Sequence, residues 1–202
     1  MRIGVVSISH GNSKMGDISS VSLPSRVTCP HCGCWFECYA NKLERIRPSV
    51  AKAYKNNLEV LQKDPDTYWR EVEAAIMTSR FFRFHVSGDI PDENYLQNMV
   101  KIATEQRHCE ILCFTKRYEM VNDFLRSGGK IPENLHIVFS GWVGLEMANP
   151  FLLPEAHVRY KDGSTTARAD ALECGGNCTD CARTDSGCWT LKSGEQVVFD
   201  KH

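Results

Sequence analysis

The sequence predicts an α/β fold with a parallel sheet, followed by a small cysteine-rich module at the C-terminus. Apolar runs of strand length alternate with helical patterns between residues 81 and 141, as is typical of βα units. Polar residues follow three of the predicted strands, at the ends where parallel sheets carry functional groups. Two groups of four cysteines lie far apart in the chain, which predicts two metal sites.

The first 80 residues are predicted to contain one strand, one loop and two helices. The second helix has Asp66 or Thr67 as its candidate cap. The first helix is interrupted by Pro48, which predicts a kink or a break. In chain order, the strand, the loop and the helices lie at 2–9, 11–28, 42–62 and 64–79.

The βα units follow, and glycine or polar turns separate them. The predicted helices are 91–106 and 117–129. The predicted strands are 81–88, 109–115, 134–141, 156–160 and, near the C-terminus, 195–200. We place a domain boundary at residue 160, so that the βα domain is 1–160 and the cysteine-rich module is 161–202.

Composition argues against several classes of protein, although it leaves room for a local basic groove. The formal net charge of -1 gives no basic field for nucleic acid. No apolar run reaches the ~18 residues of a membrane helix, and the N-terminus lacks the pattern of a signal peptide. We therefore expect a cytoplasmic protein that contacts no membrane and in which thiols persist without disulfides.

The first cysteine group has the spacing C-x2-C-x-C-x3-C and consists of Cys29, Cys32, Cys34 and Cys38. Thiolates are soft ligands that suit zinc or iron–sulfur clusters. Zinc sites usually combine two separate cysteine pairs, whereas these four thiols share one short loop. The crowding favours a [4Fe-4S] cluster, with a zinc knuckle as the alternative and His31 as a further candidate ligand.

The second group consists of Cys174, Cys178, Cys181 and Cys188. Gly175, Gly176 and Gly187 lie among these cysteines and let the backbone approach the metal. Four thiolates would saturate a second [4Fe-4S] cluster, which is then structural or transfers electrons. Zinc is again the alternative metal.

Two interior features have ordinary interpretations. Cys109 and Cys113 share one face of a predicted strand, which favours core packing. His85 follows an apolar run and is interpreted as a core histidine, with a pocket residue as the alternative.

Five motifs occur together in one order: GNSKMGDISSVSLP, TCPHCGCWFECYA, FRFHVSGDI, CFTKR and CGGNCTDCARTDSGCW. Over residues 11–189 this combination resembles the phage-associated gene 88 protein family and its bacterial relatives. The resemblance implies a phage-encoded protein of the host cytoplasm. It also implies a shortened, partial βα barrel similar to radical S-adenosylmethionine enzymes, with iron–sulfur clusters.

In the radical enzymes three cysteines follow the first barrel strand and leave one iron open for S-adenosylmethionine. The resemblance assigns these roles to Cys29, Cys34 and Cys38, with Tyr39 as the adjacent aromatic residue and Cys32 as an extra cysteine. The spacing here is C-x4-C-x3-C, whereas C-x3-C-x2-C is usual. Cysteines 174, 178 and 181 have the usual spacing, but we interpret their group as an auxiliary cluster.

The resemblance also implies a cofactor-binding role for residues at the strand ends. Asp89, in the turn Ser87–Asp89, would meet the amino group of the ligand, although it could instead cap a helix. Lys116 and Arg117 could pair with a carboxylate or phosphate, or simply begin a solvated helix. Ser140 would line the same cavity.

The implied function is a radical enzyme that acts on an unknown small molecule and accepts electrons from flavodoxin or ferredoxin. The first alternative is an iron–sulfur protein for electron transfer or redox sensing. The second is a zinc-stabilised module that binds nucleic acid or protein. The sequence assigns no catalytic residue.

Overall fold

The chain forms a mixed α/β structure, which a computed structural model describes over residues 5–30 and 33–201. Helices α1 to α7 are Ser25–Thr28, Tyr39–Ile46, Pro48–Lys63, Pro65–Met77, Glu93–Glu105, Tyr118–Arg126 and Cys178–Arg183. Strands β1 to β8 are Ile8–Ser9, Ser19–Val21, Phe81–Phe84, Glu110–Thr115, Leu135–Ser140, Glu155–Arg159, Leu172–Glu173 and Gln196–Asp200. Two short 3₁₀ helices, Gly33–Phe36 and Gly187–Trp189, each contain one of the clustered cysteines.

All eight strands lie in one sheet in the order β1-β2-β3-β4-β5-β6-β8-β7. β1 is antiparallel to β2, and the other neighbouring pairs are parallel. From β2 to β6 each crossover adds the next strand on the same side of the last one. Over the described ranges the two outer strands, β1 and β7, do not pair with each other, so the sheet is open.

The helices α3 to α6 cover one face of this sheet. Their apolar residues form one buried cluster with alternate strand residues such as Phe82, Ile111 and Phe139. Crossovers of one hand that all advance in one direction place their helices on one face. The longest helix, α3, has 16 residues, and within the described ranges no helix is long and apolar enough to cross a membrane.

The opposite face is covered by the C-terminal segment. Leu112 and Val138 point to this side and pack in a second buried cluster with Trp189 and Val197. β7 and β8 extend the same sheet, because β8 pairs with β6. The C-terminal segment, predicted over 161–202 as a module packed on the βα domain, therefore completes the sheet and covers its second face over residues 161–201.

The prediction of a loop over residues 11–28 is wrong, because β2 and α1 lie within it. Its serines favoured the prediction of a loop because they are polar. In the structure, however, Ser20 and Ser22 are buried together with Val21 and Leu23. β2 is short, and it is held on one side by β1 and on the other by β3.

Other element boundaries differ from the predictions for local reasons. The helix predicted over 42–62 is two helices, α2 and α3, and Pro48 occupies the first turn of α3, where its missing N–H costs nothing. Asp64, and neither Asp66 nor Thr67, caps α4 by accepting from the Thr67 N–H. The strand predicted over 81–88 ends at Phe84, because His85 has a φ of 61°.

Candidate metal centre

The second cysteine group is assembled from three pieces of chain. Cys174 follows β7, Cys178 and Cys181 lie on α7, and Cys188 lies in the last 3₁₀ helix. Backbone hydrogen bonds fix two of these pieces, since the Cys174 N–H donates to Val198 O at 3.0 Å and the Cys178 N–H to Lys14 O at 2.9 Å. All four side chains are partly buried against the face of the sheet that the C-terminal segment covers.

The four thiols lie within electrostatic range of one another. Burial, together with the charges of Cys174, Cys178 and Cys181, raises the pKa of Cys188 to about 12, although the charge of Arg83 opposes this rise. Burial also raises the pKa of Cys178. The raised pKa values favour the protonated forms of Cys178 and Cys188, so a metal ion would have to displace their protons on binding.

Gly187 gives the chain its close approach to Cys181, whereas Gly175 lies at an ordinary contact distance. A Cβ on Gly187 would lie 3.0 Å from the Cys181 Sγ, and a Cβ on Gly175 would lie 3.6 Å from it. The sulfur therefore rests against bare backbone, as expected where backbone groups surround a thiolate ligand.

The donor set consists of thiols alone. The described cysteines are free of disulfides. Within residues 5–30 and 33–201, no three side chains of His, Cys, Asp or Glu are arranged to hold one metal ion. A [4Fe-4S] cluster distributes its four cysteines over four irons, so such ligands need not converge on a single point.

The first cysteine group surrounds a loop that follows β2. Cys29 ends α1, Cys34 lies in the first 3₁₀ helix, and Cys38 precedes α2. His31 and Cys32 lie outside the described residues, so their predicted roles as ligands stay predictions.

Tyr39 connects this loop to the end of β3. Its hydroxyl donates to Val86 O at 2.5 Å and lies within electrostatic range of Cys29 and Cys38. The loop is also tied to the C-terminus, because Glu37 pairs with Lys201 at 2.7 Å. The first cysteine loop is therefore anchored beyond the ends of both β3 and β8.

The predicted cofactor turn, Ser87–Asp89, is buried beneath the loop. The Ser87 hydroxyl donates to Glu44 at 2.7 Å. A Cβ on Gly88 would lie 2.7 Å from the hydroxyl oxygen of Thr28, so the turn packs closely on the start of the loop.

Asp89 connects the ends of β3 and β4. Its carboxylate accepts from the Thr115 hydroxyl at 2.6 Å and from the Lys116 N–H at 2.8 Å. Burial raises the pKa of Asp89, and these hydrogen bonds oppose that rise. The interpretation of Asp89 as a helix cap is wrong, because Asp92 caps α5 and accepts from the Tyr95 N–H.

The remaining strand-end residues have different environments. The Lys116 ammonium donates to the Ser140 hydroxyl at 2.8 Å, which connects β4 to β5. Arg117 donates to Thr28 O at 2.6 Å and to Ile90 O at 3.0 Å. Arg117 therefore holds the residue that precedes Cys29, while Lys116 and Ser140 form a polar pair at the strand ends.

A cavity of about 320 Å³ opens beside this region and is lined by Trp142 and His157, among others. A Cβ on Gly33 would lie 3.7 Å from the Trp142 ring, so the cavity borders the first cysteine loop. His157 bonds to Thr166 at 2.8 Å and to Glu155 at 3.1 Å. His157 was not among the site residues predicted from the sequence, where only the alternation along β6 points to it.

Cys109 and Cys113 are completely buried in the helix-side core, so their interpretation as packing residues is confirmed. His85 is also buried, with its Nε2 3.1 Å from the Tyr95 hydroxyl, which confirms its place in the core, but its buried Nδ1 has no hydrogen-bond partner among the described residues. The sequence analysis also missed Arg83, whose charge acts on Cys178 and Cys188.

Comparison with known proteins finds relatives in bacteriophages. A family model described as "Gene product 88" matches residues 7–144. Proteins named "Gene 88 protein" from Mycobacterium phages L5 and D29 are each 26% identical to the chain over an alignment of 121 residues. Each alignment covers 52% of the chain. The chain spans about half the length of these curated relatives, 51% and 50% respectively. No solved structure matches.

The family match includes the first cysteine group and the ends of β3, β4 and β5, but it stops at residue 144. The resemblance inferred from sequence motifs extended to residue 189. The second cysteine group therefore lies outside the matched part, and its interpretation depends on the chemistry and arrangement of its own residues.

Proposed function

The chain belongs to the Gene product 88 family, as its motifs predicted, and we propose that it is an iron–sulfur protein with two [4Fe-4S] clusters. Cys174, Cys178, Cys181 and Cys188 would hold one cluster. The first cysteine group, with Cys29, Cys34 and Cys38, would hold the other. Such clusters supply one-electron transfer when bound.

The observation that carries this proposal is the arrangement of the second group. Four free, partly buried thiols interact electrostatically, and two glycines give room to one sulfur. Buried structural cysteines elsewhere in this chain, Cys109 and Cys113, lie in the apolar core on the other side of the sheet. The clustered cysteines thus differ from the packing cysteines in both environment and placement.

The proposed reaction class is that of radical S-adenosylmethionine enzymes, on a partial βα barrel. Two observations support it: the strands from β2 to β6 advance in sequence order with α3 to α6 on one face, and the cysteine loop follows the first parallel strand. Three ligands from the loop would leave one iron open for S-adenosylmethionine, with electrons from flavodoxin or ferredoxin.

In this proposal the chain's own residues shape the site. Ser87, Gly88, Asp89 and Arg117 seat the cysteine loop through Glu44 and Thr28. Lys116 and Ser140 offer a cation and a hydroxyl at the strand ends, where a carboxylate would bind. Tyr39 would lie beside the cluster, and the cavity lined by Trp142 would accept a small-molecule substrate.

An electron-transfer role is the second candidate, favoured by the second group because four thiolates leave no open iron. S-adenosylmethionine separates the two roles. The anaerobically reduced protein is expected to cleave it to 5′-deoxyadenosine, and a Cys34→Ala variant is expected not to. If neither protein cleaves it or changes its EPR spectrum on addition, the radical proposal fails and the electron-transfer role is favoured.

Cysteine variants test the assignment of ligands. We expect Cys178→Ala to lose about half of the bound iron, because one of two clusters would lose a ligand. Cys113→Ala is the matched control, since it removes a buried thiol that we do not assign to a cluster. Equal iron in the two variants, measured per chain after anaerobic reconstitution, would contradict the assignment.

A further inference from the structure

Arg83 lies on the face of the sheet that carries the second cysteine group. Along β3, Phe82 and Phe84 point to the helix-side core, whereas Phe81 packs against Trp189 with ring centroids 5.0 Å apart. Arg83 shares the orientation of Phe81 by strand alternation. Its guanidinium lies 4.8 Å from the centroid of the Phe114 ring on the neighbouring strand.

The positive charge of Arg83 has no anionic partner in the described part of the chain. No hydrogen bond or ion pair to its guanidinium is found there, and its Nε is buried without an acceptor. A buried donor on a charged group is costly unless an anion or acceptor satisfies it. The ring of Phe114 supplies only a weak cation–π contact.

Two of the clustered thiols are among the groups that this charge reaches, together with Tyr39, His85 and Cys113. Cys178 and Cys188 pack in the same apolar cluster as Phe114, and both are within electrostatic range of the guanidinium. A second cation, Lys14, also acts on Cys178, and its Nζ lies 5.1 Å from the Phe199 ring centroid. These cations oppose the rise in pKa that burial causes, Arg83 at both thiols and Lys14 at Cys178.

We infer that Arg83 is a positioning residue for the cluster that the second cysteine group would hold. Its guanidinium would neutralise thiolate charge there and thereby raise the reduction potential of that cluster. The inference rests on the proposed function, because it needs the cluster to exist. A cluster gains negative charge on reduction, so a nearby fixed cation favours the reduced form.

The test compares Arg83→Met, which removes the charge, with Arg83→Lys, which keeps it. Arg80→Met is the matched control, because Arg80 also lies against a ring, that of Phe81, at 5.3 Å, but is exposed. Each full-length protein is reconstituted anaerobically with iron and sulfide, and its reduction is followed by EPR against potential. A Cys29→Ser/Cys38→Ser background, with only the second group intact, assigns the signal.

In Arg83→Met we expect the equilibrium between reduced and oxidised cluster to shift at least about tenfold toward the oxidised form, or ~59 mV for one electron. Arg83→Lys should restore most of the shift, and Arg80→Met should show none. An unchanged potential in Arg83→Met with full iron content would overturn the inference.

If Arg83→Met binds no iron, Arg83→Lys decides, because retained iron supports a role for the charge and lost iron contradicts it. If the unsubstituted chain binds no iron, the proposed function itself has failed, which is a different outcome from an unchanged potential.

Discussion

At the scale of single residues, Gly187 has the most direct link to the proposed cluster. Its φ is +63°, and a Cβ would lie 3.0 Å from the Cys181 Sγ. Gly194 has a similar φ of +77°, but no atom lies within 4 Å of the place of its Cβ. Both glycines have a left-handed backbone conformation, but only Gly187 has a sulfur atom close to the position of its Cβ.

This pair gives the first prediction. Gly187→Ala should bind about half as much iron as the native protein, because the added methyl group displaces a ligand of one of two clusters. Gly194→Ala should bind the native amount, although both changes cost roughly 1–2 kcal/mol of backbone strain. Iron and sulfide per chain are measured after anaerobic reconstitution, and equal losses would count against a cluster at Cys181.

A second residue-scale prediction concerns acid stability and His85. Burial lowers the pKa of His85 to about 3, against an ordinary value of 6.5. The unfolded chain therefore takes up a proton first, so stability is complete above pH 6.5 and falls as the pH drops toward 3. We expect this histidine to cost up to about 2 kcal/mol between pH 7 and pH 4.5.

The measurement is urea unfolding of His85→Asn at both pH values. Asparagine tolerates the positive φ of this position and has no proton to gain. The variant should be less stable at pH 7 but lose less stability on acidification. His108→Asn, at an exposed histidine, is the control. If acidification costs His85→Asn as much as the native chain, the burial argument is wrong.

At the scale of elements, Thr28 joins α1 to the ends of β3 and β4. Its carbonyl accepts from Arg117 at 2.6 Å, and its hydroxyl accepts from the Asp89 N–H at 3.1 Å. These bonds fix the residue that immediately precedes Cys29. The strand-end residues that the sequence singled out thus determine where the cysteine loop begins.

We therefore predict that Arg117→Met loosens the loop. Loss of a charge-assisted hydrogen bond should lower the free energy of unfolding by about 1.5–3 kcal/mol. In reduced, metal-free protein, Cys29 should be alkylated faster than in the native chain while Cys178 is unchanged. Arg107→Met, at an exposed arginine in the turn that follows α5, is the control. Equal alkylation rates for Cys29 in all three proteins would refute the anchoring role.

Elements with strong periodicity were predicted closely, and elements without it were not. The strand over 109–115 and the helix over 91–106 agree with β4 and α5 because their apolar residues alternate or recur as the structure requires. β2 was not predicted because its serines are polar and show no hydrophobic pattern. They are buried only because neighbouring strands pair with β2. Such burial is a property of the sheet and cannot be read from three residues.

At the scale of the whole molecule, the sequence located both cysteine groups but not their relation to each other. The alternation in Phe81–Phe84 could have placed Arg83 on one face of a strand. Its proximity to Cys178 and Cys188 depends on how the chain returns to cover the sheet, which no local pattern encodes. The prediction of a C-terminal module packed on the βα domain did not specify the strand pairing of β8 with β6.

The shared sheet yields a prediction about truncation. A chain of residues 1–160 should lose cooperative unfolding and bind a hydrophobic dye, because β6 loses β8, one of its two partners, and Leu112 and Val138 lose their cover. In the full chain, Trp189→Ala should cost about 3–5 kcal/mol by opening the same face. Circular dichroism and dye fluorescence follow both proteins. A stable, cooperative 1–160 fragment would instead favour an independent module.

The central claim, that the two cysteine groups hold iron–sulfur clusters, is tested most directly by metal analysis of the native chain. The protein is purified without oxygen, and its iron, acid-labile sulfide and zinc are quantified together with its visible absorbance. Our account predicts a brown protein with about eight irons and about eight sulfides per chain, as two [4Fe-4S] clusters require. A colourless, folded protein that contains about two zinc ions and no iron would contradict it.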